Sequence, residues 1–158
     1  MCIHDKTTDD NRTIDAIVRN SRVLLAIAIR SLAVVDSDLT LVQYRSLVFI
    51  AQHTKCSVSE LANNLGVSNP TVSRLCDRLL EKGLIERHQS SNDRRRLELV
   101  LRPKALKALS MVSEHRRNDI RNLLMQIPKT RWAEIANALD LVSDAAGEQS
   151  EEMWQRLE

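Results

Sequence analysis

The stretch VSELANNLGVSNPTVSRLCDRLLEK, Val58 to Lys82, decides the fold. Leu61, Ala62 and Leu65 recur at helical spacing, and after a break Val72, Leu75, Cys76 and Leu79 do so again. Gly66-Val67-Ser68 separates the two runs. Glycine tolerates the positive φ of a tight turn, Val67 is placed to plug the corner, and Ser68 is a natural N-cap. Ala62, Gly66, Val72 and Leu75 meet the spacing of a helix-turn-helix at four places. The pattern predicts helices over Val58–Leu65 and Asn69–Lys82, the second buried along Val72, Leu75, Cys76 and Leu79.

Turning that second helix by its 3.6-residue period puts Pro70, Ser73, Arg74 and Asp77 opposite the buried stripe, flanked by Asn69, Thr71 and Arg78. Small and basic groups at the leading end of such a helix are what reach base edges and phosphates. Ser68, Asn69, Pro70, Thr71, Ser73, Arg74 and Arg78 are therefore candidate contacts to double-stranded DNA. Arg74 is open to two roles, reading guanine or clamping a phosphate. Past Gly83 the period changes. Leu84-Ile85-Glu86-Arg87 is followed by a polar turn, and Leu97, Leu99 and Leu101 then alternate with Arg96, Glu98 and Val100, as in a strand. The hairpin reads as a wing whose tip carries Asp93, Arg94 and Arg95. Arginine at such a tip suits the negative potential of a narrow minor groove. Between Val67 and Lys104 stand nine basic residues against five acidic ones, an excess of +4 in a chain of net charge +2. A basic middle between acidic ends is the footprint of a polyanion partner.

Outward from this core, apolar residues from Ile14 to Leu32 predict one long helix from about Asp10 to Val34. Thr40 can cap a second helix carrying Leu41, Tyr44, Leu47, Val48 and Ala51. Pro103 opens a long helix that Pro128 ends, and Thr130 can cap a last one bearing Trp132, Ile135, Leu139 and Val142. Met153, Trp154 and Leu157 could extend that final stripe. The fold class is mainly α with a small β-hairpin wing. One domain spans 1–158: residues 40–102 form the winged helix-turn-helix, and 10–35 with 103–147 form a helical dimerisation region. The stripes Ile14/Ile17/Leu25 and Trp132/Ile135/Leu139/Val142 exceed what one small domain can bury, which predicts a homodimer. Only 3% of residues are aromatic, so the core is aliphatic. No run approaches the length of a membrane span and the N-terminus has no apolar signal region, so no membrane partner and a cytoplasmic location are expected. Cys2, Cys56 and Cys76 are odd in number and irregularly spaced, which predicts reduced thiols.

Several longer stretches resemble the MarR family of prokaryotic regulators: Leu39 to Arg45, Val58 to Ala62, Ser68 to Leu75, Asp77 to Arg87, and Asn92 to Arg95 with Leu97, Leu99, Leu101 and Pro103. The resemblance runs from about Ile14 to Val142. It implies a winged-helix dimer, built on the first and last two helices, that binds pseudo-palindromic operators, usually as a repressor. It implies that Arg95 enters the minor groove and that Asp93 orients the wing by pairing with arginine. Many relatives release DNA when a small phenolic or lipophilic anion binds between the dimer and DNA-binding parts. This chain departs from the pattern at Arg102, where threonine is usual, and at Ala105, where glycine is usual.

No phosphate loop, nucleophile elbow or HExxH helix is present, which argues against an enzyme and gives no catalytic residue. No cofactor is implied. Metal response would need more convergence than His53 with Cys56, or Glu114 with His115, so no metal ligands are assigned. Thiol response would rest on Cys56, beside Lys55, or on Cys76. A thiol- or metal-responsive regulator of the same fold stays as the alternative. The peroxide-sensing mechanism of some relatives, with an N-terminal helix cysteine and tyrosines, does not carry over.

Overall fold

The computed structural model describes residues 4–35, 38–53, 56–89 and 97–148, with side chains from residue 9 onward. Six α-helices and one hairpin follow in the order α1 (His4–Leu32), α2 (Leu41–Gln52), α3 (Val58–Leu65), α4 (Asn69–Glu81), β1 (Ile85–Gln89), β2 (Leu97–Leu101), α5 (Pro103–Leu124) and α6 (Trp132–Ala145), a 3-10 turn at Lys129–Arg131 leading into the last. This is a mostly helical winged-helix fold, as the sequence predicts.

Local chemistry sets most boundaries. Thr40 and Gln43 close a capping box at the start of α2, Gln43 N–H donating to Thr40 Oγ1 at 3.2 Å and Thr40 N–H to Gln43 Oε1 at 3.1 Å. Ser57 and Glu60 do the same for α3. Gly66 ends α3 at φ 65°, and Gly83, at φ 66°, turns the chain out of α4 into the wing. Lys82 Nζ donates to Asp38 O at 2.8 Å and Gln43 Oε1 at 3.2 Å, while Lys104 Nζ donates to Lys82 O at 2.9 Å. The end of α4 is thereby pinned to the starts of α2 and α5, with cations where the helix dipole is negative.

Three expectations shift. The first helix begins six residues before Asp10 and stops at Leu32 rather than Val34. The helix expected to run to Pro128 stops at Leu124. Thr130 does not cap the last helix: it sits inside the 3-10 turn, and Arg131 is the N-cap residue, without a side-chain cap.

The hairpin pairs Ile85 with Leu101 through Gln89 with Leu97, antiparallel. Leu99 N–H donates to Cys56 O at 2.7 Å, so the connection before α3 adds a one-residue third strand. Leu47, Leu61, Val72, Leu79, Leu84, Ile85, Leu99, Leu109 and Val112 make an aliphatic core linking the winged part to the first half of α5. Each such side chain stabilises the fold by about 1.5–3 kcal/mol on burial. By contrast Ile14, Ile17, Val18, Leu24 and Leu25 of α1 and Leu139, Leu141 and Val142 of α6 are exposed. Within the protomer α6 packs chiefly on the 3-10 turn before it. No helix among the described residues is long and apolar enough to cross a membrane.

Candidate nucleic-acid interface

The buried stripe of α4 is Val72, Cys76 and Leu79. It holds the opposite face outward. Ser68, Asn69, Pro70, Thr71, Arg74 and Arg78 are all exposed, and Ser73 is half-buried. Among the described residues neither Arg74 nor Arg78 pairs with a carboxylate, and both side chains are exposed. The candidate contacts on the helix thus lie together on one surface. Asp93, Arg94 and Arg95 at the wing tip lie outside the described residues.

Three details of the helix-turn-helix differ from expectation. Ser68 occupies the N-cap position of α4, but its side chain makes no cap bond; its Oγ lies 2.9 Å from Thr71 Oγ1 instead. The two hydroxyls satisfy each other, and both remain exposed at the leading end of the helix. Val67 does not plug the corner: it is 44% exposed. Leu75 is only half-buried. Both residues face the same space, a cleft of about 980 Å³ between the start of α2, the α3–α4 corner, α4 and α5. Leu41, Val42, Leu65, Val67 and Leu75 give it apolar walls, and Arg45, Arg74, Arg78 and Arg116 supply its cations. Arg116 stacks over the Tyr44 ring at 5.0 Å, and its Nε is buried without a hydrogen-bond partner among the described residues. An apolar cleft ringed by guanidinium groups is chemically suited to a flat, lipophilic anion.

The base of the wing is braced by a pair that the residue pattern did not single out. Arg87 on β1 donates to Asp77 on α4 at 2.8 Å. It ties the base of the hairpin to α4. The two residues sit ten apart across a helix–strand junction, where no sequence periodicity applies.

Among the described residues the cysteines, Cys56 and Cys76, are packed as core residues. Both are fully buried. Burial pushes the Cys76 thiol up, Asp77 adding to the rise and Arg87 opposing it. A protonated, enclosed thiol is a poor nucleophile. Native protein treated with iodoacetamide at neutral pH should therefore label Cys56 and Cys76 only after denaturant is added, as peptide mass spectrometry would show. Rapid labelling of either in the folded protein would revive thiol sensing. His53 stacks on Phe49, with ring centroids 4.0 Å apart, and its Nδ1 lies 2.8 Å from Phe49 O.

The model of the MarR family matches residues 39–97. RV1404 from Mycobacterium tuberculosis is 32% identical over 89% of this chain and 96% of its own, with a TM-score of 0.83. Transcriptional regulator Tm0710 from Thermotoga maritima is 25% identical over 85% and 94%, with a TM-score of 0.66. A mutant of Staphylococcus aureus MepR bound to an oligodeoxyribonucleotide is 22% identical over 84% and 97%, with a TM-score of 0.62.

Proposed function

The chain belongs to the MarR family, and we propose that this winged-helix regulator is a homodimer that binds pseudo-palindromic duplex DNA through α4 and the wing and acts as a repressor. The carrying observation is the division of α4. One face is locked into the core by Val72, Cys76 and Leu79, and the other offers Asn69, Thr71, Arg74 and Arg78 to solvent. The oligodeoxyribonucleotide bound by the MepR mutant supports DNA as partner. Titrating the protein with duplexes from its own upstream DNA, at several salt concentrations, tests this. Tight binding that weakens steeply with salt and exceeds that of scrambled duplexes is expected. Equal binding of all sequences would leave a non-specific DNA protein.

Release by a small lipophilic or phenolic anion follows from the cleft. Arg74 and Arg78 line both the cleft and the outward face of α4. An anion that draws their guanidinium groups inward removes them from phosphates. Such a ligand releases DNA because it binds the DNA-incompetent arrangement more tightly. Adding phenolic acids to the protein–duplex complex should therefore free the duplex.

At the wing tip, we assign Arg95 to the minor groove and Asp93 to orienting arginine, with Arg94 as a further DNA contact. Arg95→Ala should lower affinity for specific and random duplexes alike while the melting temperature holds. Asp93→Ala should also weaken binding, although it removes a negative charge. Tighter binding by the Asp93 variant would mean that simple charge governs the wing.

A further inference from the structure

The four guanidinium groups that line the cleft are not equivalent. Among the described residues lining it none is acidic. Arg45 is already engaged from outside the cleft: it holds Glu148 in a fork, Nη2 to Oε2 at 2.8 Å and Nη1 to Oε1 at 3.1 Å. Gln52 Nε2 donates to the same carboxylate at 3.3 Å. The bond from Arg45 holds the Glu148 carboxyl below the usual carboxylate range, so this tether stays charged at neutral pH. Arg74 and Arg78 are exposed on α4 and belong to the face offered to DNA. That leaves Arg116, the one residue α5 contributes to the lining. Its guanidinium lies over the Tyr44 ring at 5.0 Å, and Tyr44 is packed into the core, so the platform is firm. Among the described residues no carboxylate pairs with Arg116, and its Nε is buried without a hydrogen-bond partner. A buried donor left unsatisfied is costly, and a charged acceptor removes that cost.

We propose that Arg116 anchors the effector by taking a carboxylate side-on, through Nε and one terminal nitrogen, and that the effector class is therefore a planar lipophilic carboxylate and not a phenolate. A side-on fork needs two acceptor oxygens on one group, which a carboxylate has and a phenolate lacks. Nε is shielded from solvent, so the guanidinium turns slightly on its Tyr44 platform to present that edge. The cleft, at about 980 Å³, has room for two fused rings between its apolar walls. A carboxylate held in the fork keeps lone pairs on its far side. Arg74 or Arg78 can turn to those, which gives their withdrawal from DNA a fixed point to work against. The inference rests on the cleft being the effector site, and adds which residue holds the ligand and by which group.

Calorimetric titration of the full chain with 2-naphthoate and with its neutral amide, 2-naphthamide, tests this. Arg116→Met keeps an unbranched apolar stem but has no donor. It should weaken the acid by about ten- to 150-fold, the worth of a hydrogen bond to a charged group, while the amide binds nearly as before. A cleft that is merely disturbed would lose both. Arg116→Lys keeps the charge without the fork and should recover only part of the loss. Equal losses for acid and amide, acid binding by the methionine variant like the parent's, or full recovery with lysine overturns the proposal. So does a parent that shows no saturable binding of the acid. Duplex release, scored against each variant's own duplex affinity, separates the anchor from ligand control. Acid binding that depends on Arg116 but frees no duplex keeps the anchor and rejects ligand control. Release from the parent and the methionine variant alike keeps ligand control and rejects the anchor.

Discussion

Ile17→Glu combined with Leu139→Glu should yield a monomer that no longer holds its operator. Ile17 is 47% exposed on α1 and Leu139 43% exposed on α6, and neither belongs to the buried core. On α1 the positions Ile14, Ile17, Ser21, Leu24 and Ala28 recur at the three- and four-residue steps of a helix–helix seam. The last helix has little to pack on within its own protomer. Two apolar helices left without cover are the mark of an interface made with a second copy, and a two-fold pair would bury each stripe against its mate. A carboxylate placed in such a seam must be desolvated without a partner, which costs several kcal/mol per site. It is also repelled by its symmetry mate. The winged part should keep its helicity and melting behaviour, because Leu47, Leu61 and Leu79 are untouched. Affinity for the operator should fall by about 10²–10⁴, the advantage of binding two half-sites at once. Light scattering and duplex titration on the same sample check both halves. A variant that stays dimeric at micromolar concentration would remove these faces from the interface.

Legibility in the sequence followed the range of the interactions. The helical frame was readable because its signals are local: Gly66 at a positive-φ turn, Thr40 at a cap, Pro70 and Pro103 in first turns. The Ser57–Glu60 capping box was equally local, an S-x-x-E spacing before an apolar run, and could have been found the same way. Val67 and Leu75 were misplaced because periodicity reports that a residue is apolar, not whether a core or a cleft faces it. The brace between Asp77 and Arg87 and the tether between Arg45 and Glu148 join residues from different elements, the second 103 positions apart. Exposed charged residues at such separations carry no pattern until the chain is folded. The wing-tip roles of Asp93, Arg94 and Arg95 still rest on the family resemblance.

Arg74→Ala should weaken operator binding by about 1–3 kcal/mol, or five- to 150-fold, if the side chain reads a base. The residue is exposed, lies in the second turn of α4, and is held there by Val72 and Cys76 on the buried side. Arg78, one turn further along, shares the same exposed surface. Loss of a phosphate contact has a different signature. Affinity for all sequences drops together, and the slope of log affinity against log salt becomes shallower by about one. Arg74→Lys decides between them. Lysine keeps the charge but lacks the planar fork that meets two acceptors on guanine. If Arg74 clamps a phosphate, the lysine variant should recover most of the lost affinity and the full salt slope. If it reads guanine, the lysine variant should stay close to alanine on the operator while matching the parent on random duplexes. Unchanged operator affinity for Arg74→Ala at every salt concentration would take Arg74 out of the interface. It would also leave Arg78 as the one cleft-lining guanidinium on α4 through which an anion could release DNA.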